Sequence, residues 1–201
     1  MRQPARRRTG TQRQPATPHG APALLIVDMI SRFDFPDGAR LAEAALPVAE
    51  RIAQLRARFH RRGWPVLFAN DNFADWRTDF EGLWTLCADP KQRGARIAAC
   101  LALPRPQDYY VLKPKHSAFL GSALALLLAR LQTTRLLVTG IATDACVLAT
   151  AIDARMRDFQ VQVPPSCCAA LDAGRQQRAL QVLREAFAVR ISDRLPARAG
   201  G

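Results

Sequence analysis

The chain has 201 residues, of which 49% are hydrophobic and 23% are charged, a composition typical of one soluble globular domain. No uninterrupted apolar run reaches the roughly 18 residues that a membrane-spanning helix needs, so we expect no membrane partner and a cytoplasmic location. The net charge is +12, and residues 1–20 carry five arginines and no acidic residue. Because much of the excess lies in the tails, it favours solvated arginine over a specific nucleic-acid surface.

The two ends of the chain differ in composition from the middle. Residues 1–20 combine Arg, Pro, Gln and Thr without an apolar run, which predicts a disordered basic tail rather than a signal peptide. One folded domain is predicted over 21–195, followed by a flexible C-terminus at 196–201. The cysteines are odd in number and follow no secretory signal, which favours reduced thiols over disulfides. They are Cys87, Cys100, Cys146, Cys167 and Cys168.

The first half of the domain alternates apolar strands with a helical segment. PALLIVDM (22–29) is a continuous apolar run that ends near Asp28, as expected for a strand covered on both faces. Residues 37–63 have helical spacing and a glycine stop. A second predicted strand, 64–70, leads into 71–95, which we predict to be a long loop with a short helix. Loops of this length tend to be functional.

The second half of the domain repeats the alternation. In chain order the pattern predicts a strand at 108–113, a helix at 121–132, a strand at 134–140, a helix at 143–158, a strand at 159–164, a helix at 172–188 and a strand at 189–192. Such alternation predicts an α/β fold, a parallel sheet with helices on both faces. Ligands of these folds bind outside the carboxyl ends of the strands, so reactive residues are best sought there.

Three strand ends carry reactive side chains: Asp28, Lys113 and, just after the fourth strand, Cys146. Each alone has an ordinary structural explanation, namely a turn cap, the end of an edge strand and a small core residue. Together at one edge of a parallel sheet they would place a carboxylate, an ammonium and a thiol in one cleft. This combination favours nucleophilic catalysis on a carbonyl.

The chemistry of such a cleft is coherent. A thiol beside an ammonium and a helix N-terminus is expected to have a lowered pKa. The Asp28 carboxylate could accept the Cys146 proton and later deliver it to a leaving amine. Backbone N–H groups at the start of the 143–158 helix lack intrahelical partners and could stabilise an oxyanion.

Three segments together resemble the isochorismatase-like cysteine hydrolase family. They are LLIVDMISRFDFPDG (24–38), VLKPKHSAF (111–119) and VTGIATDACVLATAIDA (138–154), and the resemblance covers about 22–192. It implies a three-layer α/β/α sandwich around a six-stranded parallel sheet of Rossmann-type topology. It also implies that the protein forms a homo-oligomer, a dimer or a tetramer.

The resemblance further implies a catalytic triad of Asp28, Lys113 and Cys146, in which the family motif selects Lys113 over the nearby Lys115. It implies a cis peptide bond between Ile141 and Ala142. The backbone N–H groups of Ala142 and Cys146 would then form the oxyanion hole.

Within the family, nicotinamidases bind a metal through an Asp-Trp-His-type segment, whereas the equivalent NDNFADW (70–76) has no histidine. The three histidines, His19, His60 and His116, lack metal-ligand spacing, so we expect no metal and no cofactor. His60 is interpreted as a surface residue and His116 as a loop or partner contact. Nicotinamidase activity is therefore disfavoured.

True isochorismatases typically lack the cysteine, so Cys146 favours cleavage of a C–N bond through a thioester. The substrate would be a small amide, ureide or N-carbamoyl compound. Two alternatives are isochorismatase-type vinyl-ether hydrolysis without the thiol and a non-enzymatic, basic nucleic-acid-binding protein. Four residues are predicted to contact substrate: Phe33, Asn72, Trp76 and Phe119. The alternatives are a place in the core for Phe33 and Trp76, and in the core or a subunit contact for Phe119. The adjacent Cys167 and Cys168 are interpreted as packing residues.

Overall fold

A computed structural model describes residues 20–101 and 105–195, and they form one parallel sheet with helices on both faces. The strands are β1 (Ala23–Val27), β2 (Val66–Asp71), β3 (Tyr109–Lys113), β4 (Arg135–Ile141), β5 (Gln160–Val163), β6 (Cys168–Ala169) and β7 (Arg190–Ile191). The helices are α1 (Gly38–His60), α2 (Phe80–Ala88), α3 (Ala95–Leu101), α4 (Leu124–Arg130), α5 (Leu148–Met156) and α6 (Ala173–Phe187).

The order of the strands across the sheet is β3-β2-β1-β4-β5-β7, with β6 paired to the end of β4. All of these pairings are parallel. β1 is central, as its fully buried sequence ALLIV requires, because a strand covered by helices on both sides has no polar face. The predicted α/β class and the six predicted strands are therefore confirmed, and the two-residue β6 is an addition that has no hydrophobic pattern of its own.

The side chains of β1 divide the interior into two cores. Leu24 and Ile26 pack with α1, α2 and α3 on one face, whereas Ala23, Leu25 and Val27 pack with α4, α5 and α6 on the other. This alternation follows from the two-residue period of a strand. The result is the three-layer α/β/α sandwich that the sequence predicted.

Several boundaries differ from the prediction. The segment predicted as a long loop with one short helix contains α2, and it is followed directly by α3. The helix predicted over 143–158 begins instead as a π-helical turn, Thr143–Val147, before α5 starts. Hydrophobic periodicity cannot distinguish these forms, since the same face is buried in both.

One glycine controls how the sheet approaches the site. Gly140, in β4, has a φ of 116°, and a Cβ atom there would lie 2.0 Å from the carbonyl oxygen of Val27. Only glycine tolerates both constraints. It therefore lets the end of β4 lie directly against the end of β1, which brings the turn after β4 close to Asp28.

None of the helices in the described part of the chain combines the length and the hydropathy that a membrane crossing requires. The predicted basic tail (apart from Gly20) and the predicted C-terminus at 196–201 lie outside the described residues.

Candidate active site

The carboxyl ends of β1, β3 and β4 bring Asp28, Lys113 and Cys146 together. The Lys113 Nζ lies 2.7 Å from Asp28 Oδ2 and 3.7 Å from Cys146 Sγ. Asp28 follows β1, Lys113 is the last residue of β3, and Cys146 lies in the π-helical turn after β4. The three residues predicted from separate strand ends are thus in mutual contact.

Asp28 is held by its backbone as well as by its ion pair. Its φ is 51°, a left-handed conformation that aspartate tolerates better than most residues. The backbone N–H of Asp71 donates to Asp28 Oδ1 at 2.7 Å, and the Asp28 N–H donates to the Ala69 carbonyl at 3.0 Å. These two bonds to β2 fix the carboxylate towards Lys113 and Cys146.

Lys113 is completely buried, yet its ammonium has partners. Besides Asp28, it donates to the Lys115 carbonyl at 3.0 Å. Burial by itself would lower the pKa of Lys113, but the charge of Asp28, the hydrogen bond to it and the charge of Asp71 act in the opposite direction, so the pKa is raised and the ammonium persists. Burial raises the pKa of Asp28, with the Lys113 charge acting in the opposite direction.

The lowered pKa expected for the Cys146 thiol is wrong. Burial and the neighbouring Asp28 carboxylate raise its pKa to about 12, and the opposing effect of Lys113 is smaller. The sequence argument counted the ammonium and the helix N-terminus but could not include the desolvation of the sulfur. Cys146 is therefore a thiol at rest, and its activation requires a base in contact with it.

His116 is a fourth polar residue at the sulfur. Its Nδ1 lies 3.4 Å from Cys146 Sγ, and its side chain is exposed on the loop after β3. The sequence interpretation of His116 as a loop or partner contact missed this proximity. Its position three residues after Lys113, at the same strand end, was the available signal.

A cavity of about 390 Å³ opens beside the sulfur. Asp28, Ser31, Asp71, His116 and Cys146 contribute its polar wall. The rest of the lining is apolar and consists of Ile30, Phe35, Leu41, Phe73, Ile141, Ala142 and Ala145. A mostly apolar cleft with a few convergent polar groups is typical of a small-molecule site.

The structure corrects the predicted pocket wall, because the four predicted contact residues are outside this lining. Phe33 is completely buried in the core, and the Asn72 side chain accepts the Ala74 N–H at 3.1 Å. Trp76 is 75% exposed. Phe119 packs on Phe159, with ring centroids 5.8 Å apart, and under Arg157.

The residues that replace them come from scattered positions: Phe35 from the segment after β1, Leu41 from α1 and Phe73 from the segment after β2. Phe35 and Phe73 could have been suspected as aromatics in loops that follow strand ends. Leu41 has no distinguishing signal, since its spacing is that of any apolar helix residue.

The Ile141–Ala142 peptide bond is cis, which confirms that prediction. Ala142 and Cys146 both line the cavity, so the two residues predicted to supply the oxyanion hole border the same space.

Within 20–101 and 105–195 no group of three or more His, Cys, Asp or Glu side chains is arranged to hold a metal ion. At the end of β2, where nicotinamidases were expected to place ligands, the Asp71 and Asn72 side chains instead accept the backbone N–H groups of Phe73 and Ala74.

These features are those expected of an α/β/α hydrolase, and comparison with known proteins shows the family. The family model of the isochorismatase domain matches residues 22–193, so the chain belongs to the isochorismatase family of hydrolases. It is 39% identical to the uncharacterized isochorismatase family protein YaaI of Bacillus subtilis (strain 168) over 147 residues, which cover 73% of this chain and 80% of that protein.

Two further relatives have names that state an activity. The chain is 26% identical to the maleamate amidohydrolase of Pseudomonas putida (strain KT2440), over 73% of this chain and 71% of that protein. The crystal structure of the nicotinamidase/pyrazinamidase PncA from Bacillus subtilis superposes with a TM-score of 0.69 at 26% identity and covers 86% of this chain and 100% of that one.

Proposed function

We propose that this chain is a metal-independent cysteine amidohydrolase that cleaves a C–N bond of a small amide, ureide or N-carbamoyl compound. One observation carries the proposal: the Cys146 thiol and the ion-paired Asp28 carboxylate both border one substrate-sized cavity, and Lys113 contacts both of them. The relatives named as a maleamate amidohydrolase and a nicotinamidase/pyrazinamidase support amide cleavage as the reaction class.

In the acylation step, the Asp28 carboxylate takes the proton of the Cys146 thiol while the sulfur attacks the substrate carbonyl carbon. The oxygen becomes negatively charged and accepts the backbone N–H groups of Ala142 and Cys146. Asp28 then gives its proton to the leaving nitrogen, the C–N bond breaks, and a thioester on Cys146 is left with free amine.

In the deacylation step, water gives a proton to Asp28 and its oxygen attacks the thioester carbon. The C–S bond breaks, and Asp28 returns the proton to the sulfur, so each turnover converts one amide and one water into one acid and one amine. Lys113 stays charged throughout and stabilises the ionised states of Asp28 and Cys146, from which it lies 2.7 and 3.7 Å away.

Because the pKa of Cys146 is raised, its thiolate needs stabilisation, and we assign part of this task to His116. A thiolate forming in this buried site needs hydrogen-bond donors, and His116 Nδ1 is within 3.4 Å of the sulfur, on the side of the cavity. In our proposal, the Nδ1–H group donates a hydrogen bond to the sulfur as it becomes negative and keeps its proton, which makes His116 a second stabilising donor beside Lys113.

The test is a screen of small amides, ureides and N-carbamoyl compounds for amine or ammonia release, with mass spectrometry of acid-quenched protein. The expected result is turnover of at least one class and an acyl group on the peptide that contains Cys146. Turnover without an adduct, and undiminished in Cys146→Ala, would show that the thiol is not the nucleophile.

Two predictions about binding partners belong to the same proposal. The substrate is a small molecule, and neither a specific nucleic acid nor a membrane is a partner. The homo-oligomer and the cytoplasmic location stay predictions, to be checked by light scattering of the purified protein and by cell fractionation.

A further inference from the structure

The cavity beside Cys146 has an unbalanced set of charges. Its lining includes the carboxylates of Asp28 and Asp71 and, within the described part of the chain, no lysine or arginine. The Lys113 ammonium behind it is fully buried and is neutralised by Asp28. The sheet register also pairs Asp71 with Lys113, so one ammonium serves the two carboxylates of Asp28 and Asp71, and the cavity wall keeps an excess of carboxylate over ammonium.

Arg32 packs near the cavity wall. Its guanidinium lies 6.0 Å from the Phe73 ring centroid, and its NH2 group is paired with Asp34 Oδ2 at 2.8 Å. With Arg32 in this pair, a carboxylate on a substrate would meet the Asp71 carboxylate at the wall. Like charges brought together in a partly desolvated site are strongly unfavourable.

The remainder of the wall favours apolar groups. Phe35 and Phe73 are 42% and 38% exposed although they are large aromatics, and both line the cavity. Leu41 and Ile30 form further apolar surface next to them. A substrate that covers these side chains gains the free energy of removing apolar area from water.

We propose that this site selects amides whose acyl group is uncharged and apolar, and that the Asp71 carboxylate rejects acyl groups bearing a second, ionised carboxylate. The proposal rests on the amidohydrolase function proposed above and specifies its substrate class. In this proposal Asp71 is a specificity-determining residue, and the apolar wall binds the acyl substituent. The scissile carbonyl lies at Cys146.

Paired substrates of equal shape test the proposal. Levulinamide and succinamate differ only in a methyl ketone against a carboxylate at the far end of the acyl chain, and 4-acetylbenzamide and 4-carbamoylbenzoate repeat the comparison on a ring. We expect kcat/KM for ammonia release to be at least about tenfold higher for the neutral member of each pair that is turned over. Equal rates, or a faster anionic member, would overturn the proposal.

The Asp71→Asn variant isolates the charge, because asparagine can still accept the Phe73 N–H that Asp71 accepts at 2.7 Å. The ratio of neutral to anionic kcat/KM should fall several-fold in this variant. Asp75→Asn is the matched control, since Asp75 accepts the Arg77 N–H at 3.0 Å in a similar turn of the same loop but is outside the cavity lining. An unchanged ratio in Asp71→Asn, or an equal change in Asp75→Asn, would refute the role of Asp71.

A binding measurement separates this inference from the reaction itself. Calorimetry on Cys146→Ala protein gives the Kd of levulinamide, succinamate and the two benzamides without turnover. Tighter binding of the neutral members supports the substrate class even if no amide is hydrolysed. The absence of hydrolysis would refute only the amidohydrolase function. Tighter binding of the anionic members refutes the substrate class even if amides are hydrolysed.

Discussion

β3 carries a buried charge at each of its ends, and the two ends serve different purposes. At its carboxyl end, Lys113 meets Asp28 and Cys146 beside a cavity. Just before its amino end, Asp108 is completely buried and pairs with Arg56 and His60, both from α1. The His60 Nε2 lies 2.7 Å from Asp108 Oδ1.

The Asp108 carboxylate finds its partners within its own cluster. Each of its carboxylate oxygens has a partner, and Arg56 also donates to the Leu101 carbonyl. The Tyr110 hydroxyl joins the cluster at 3.4 Å from Asp108 Oδ2 and accepts the Arg105 N–H at 2.6 Å. These bonds tie α1 and the residues before β3 together, and His60, interpreted from sequence as a surface residue, belongs to this buried network.

A buried ion pair is therefore not by itself evidence of catalysis. Both clusters contain one, but the cluster at Lys113 also includes a nucleophile and borders a cavity at the carboxyl edge of the sheet. Because the nucleophile belongs to one cluster and not to the other, variants that disturb one or the other should separate activity from stability.

The largest effect is expected from Cys146→Ala. Removing the nucleophile should lower kcat by at least about 10³-fold. The free energy of unfolding should change little, because the side chain is small and only partly buried. Ammonia release and urea denaturation measure the two quantities, and retained turnover would contradict the mechanism.

Asp28→Asn and Asp108→Asn form a matched pair. Each leaves a buried cation without its carboxylate, so each should lower the free energy of unfolding by about 3–5 kcal/mol. Only Asp28→Asn removes the base, and its kcat should fall by roughly 10²–10⁴-fold. Measured per mole of folded protein, Asp108→Asn should retain its kcat. A comparable loss of kcat in both variants would refute the distinction drawn between the clusters.

A moderate effect is expected at His116. Replacing it by alanine removes the donor and should slow alkylation of Cys146 by iodoacetamide about tenfold, as read by peptide mass spectrometry. Asparagine can place an amide N–H near the position of Nδ1, so His116→Asn should recover much of the rate. Equal losses in both variants would instead indicate that the ring acts as a base.

The pH dependence should show the smallest but most specific difference. Burial raises the pKa of Asp28, so its base form is lost on acidification at a higher pH than for an exposed carboxyl. The acid limb of kcat/KM should accordingly lie above the ordinary carboxyl range. This acid limb should persist in Asp108→Asn and disappear from the residual activity of Asp28→Asn. If both variants keep the acid limb, it belongs to a group other than Asp28.

Local sequence was enough to predict the layered fold and the three reactive strand ends. An apolar run such as that of β1 can be buried only between two layers, and parallel strands must place Asp28, Lys113 and the turn of Cys146 at one edge. The resemblance to a family then predicted the cis peptide bond, which no conformational propensity of Ile141 or Ala142 indicates.

The sequence by itself thus determined which chemistry-bearing residues share an edge, because strand direction and period follow from short-range patterns. The tertiary structure alone decided the raised pKa of Cys146, the contact of His116 with the sulfur and the wall formed by Phe35, Leu41 and Phe73. The sequence assigned that wall to Phe33, Asn72, Trp76 and Phe119. Desolvation and cavity shape depend on residues from distant segments packed around one point, and no local pattern contains that information.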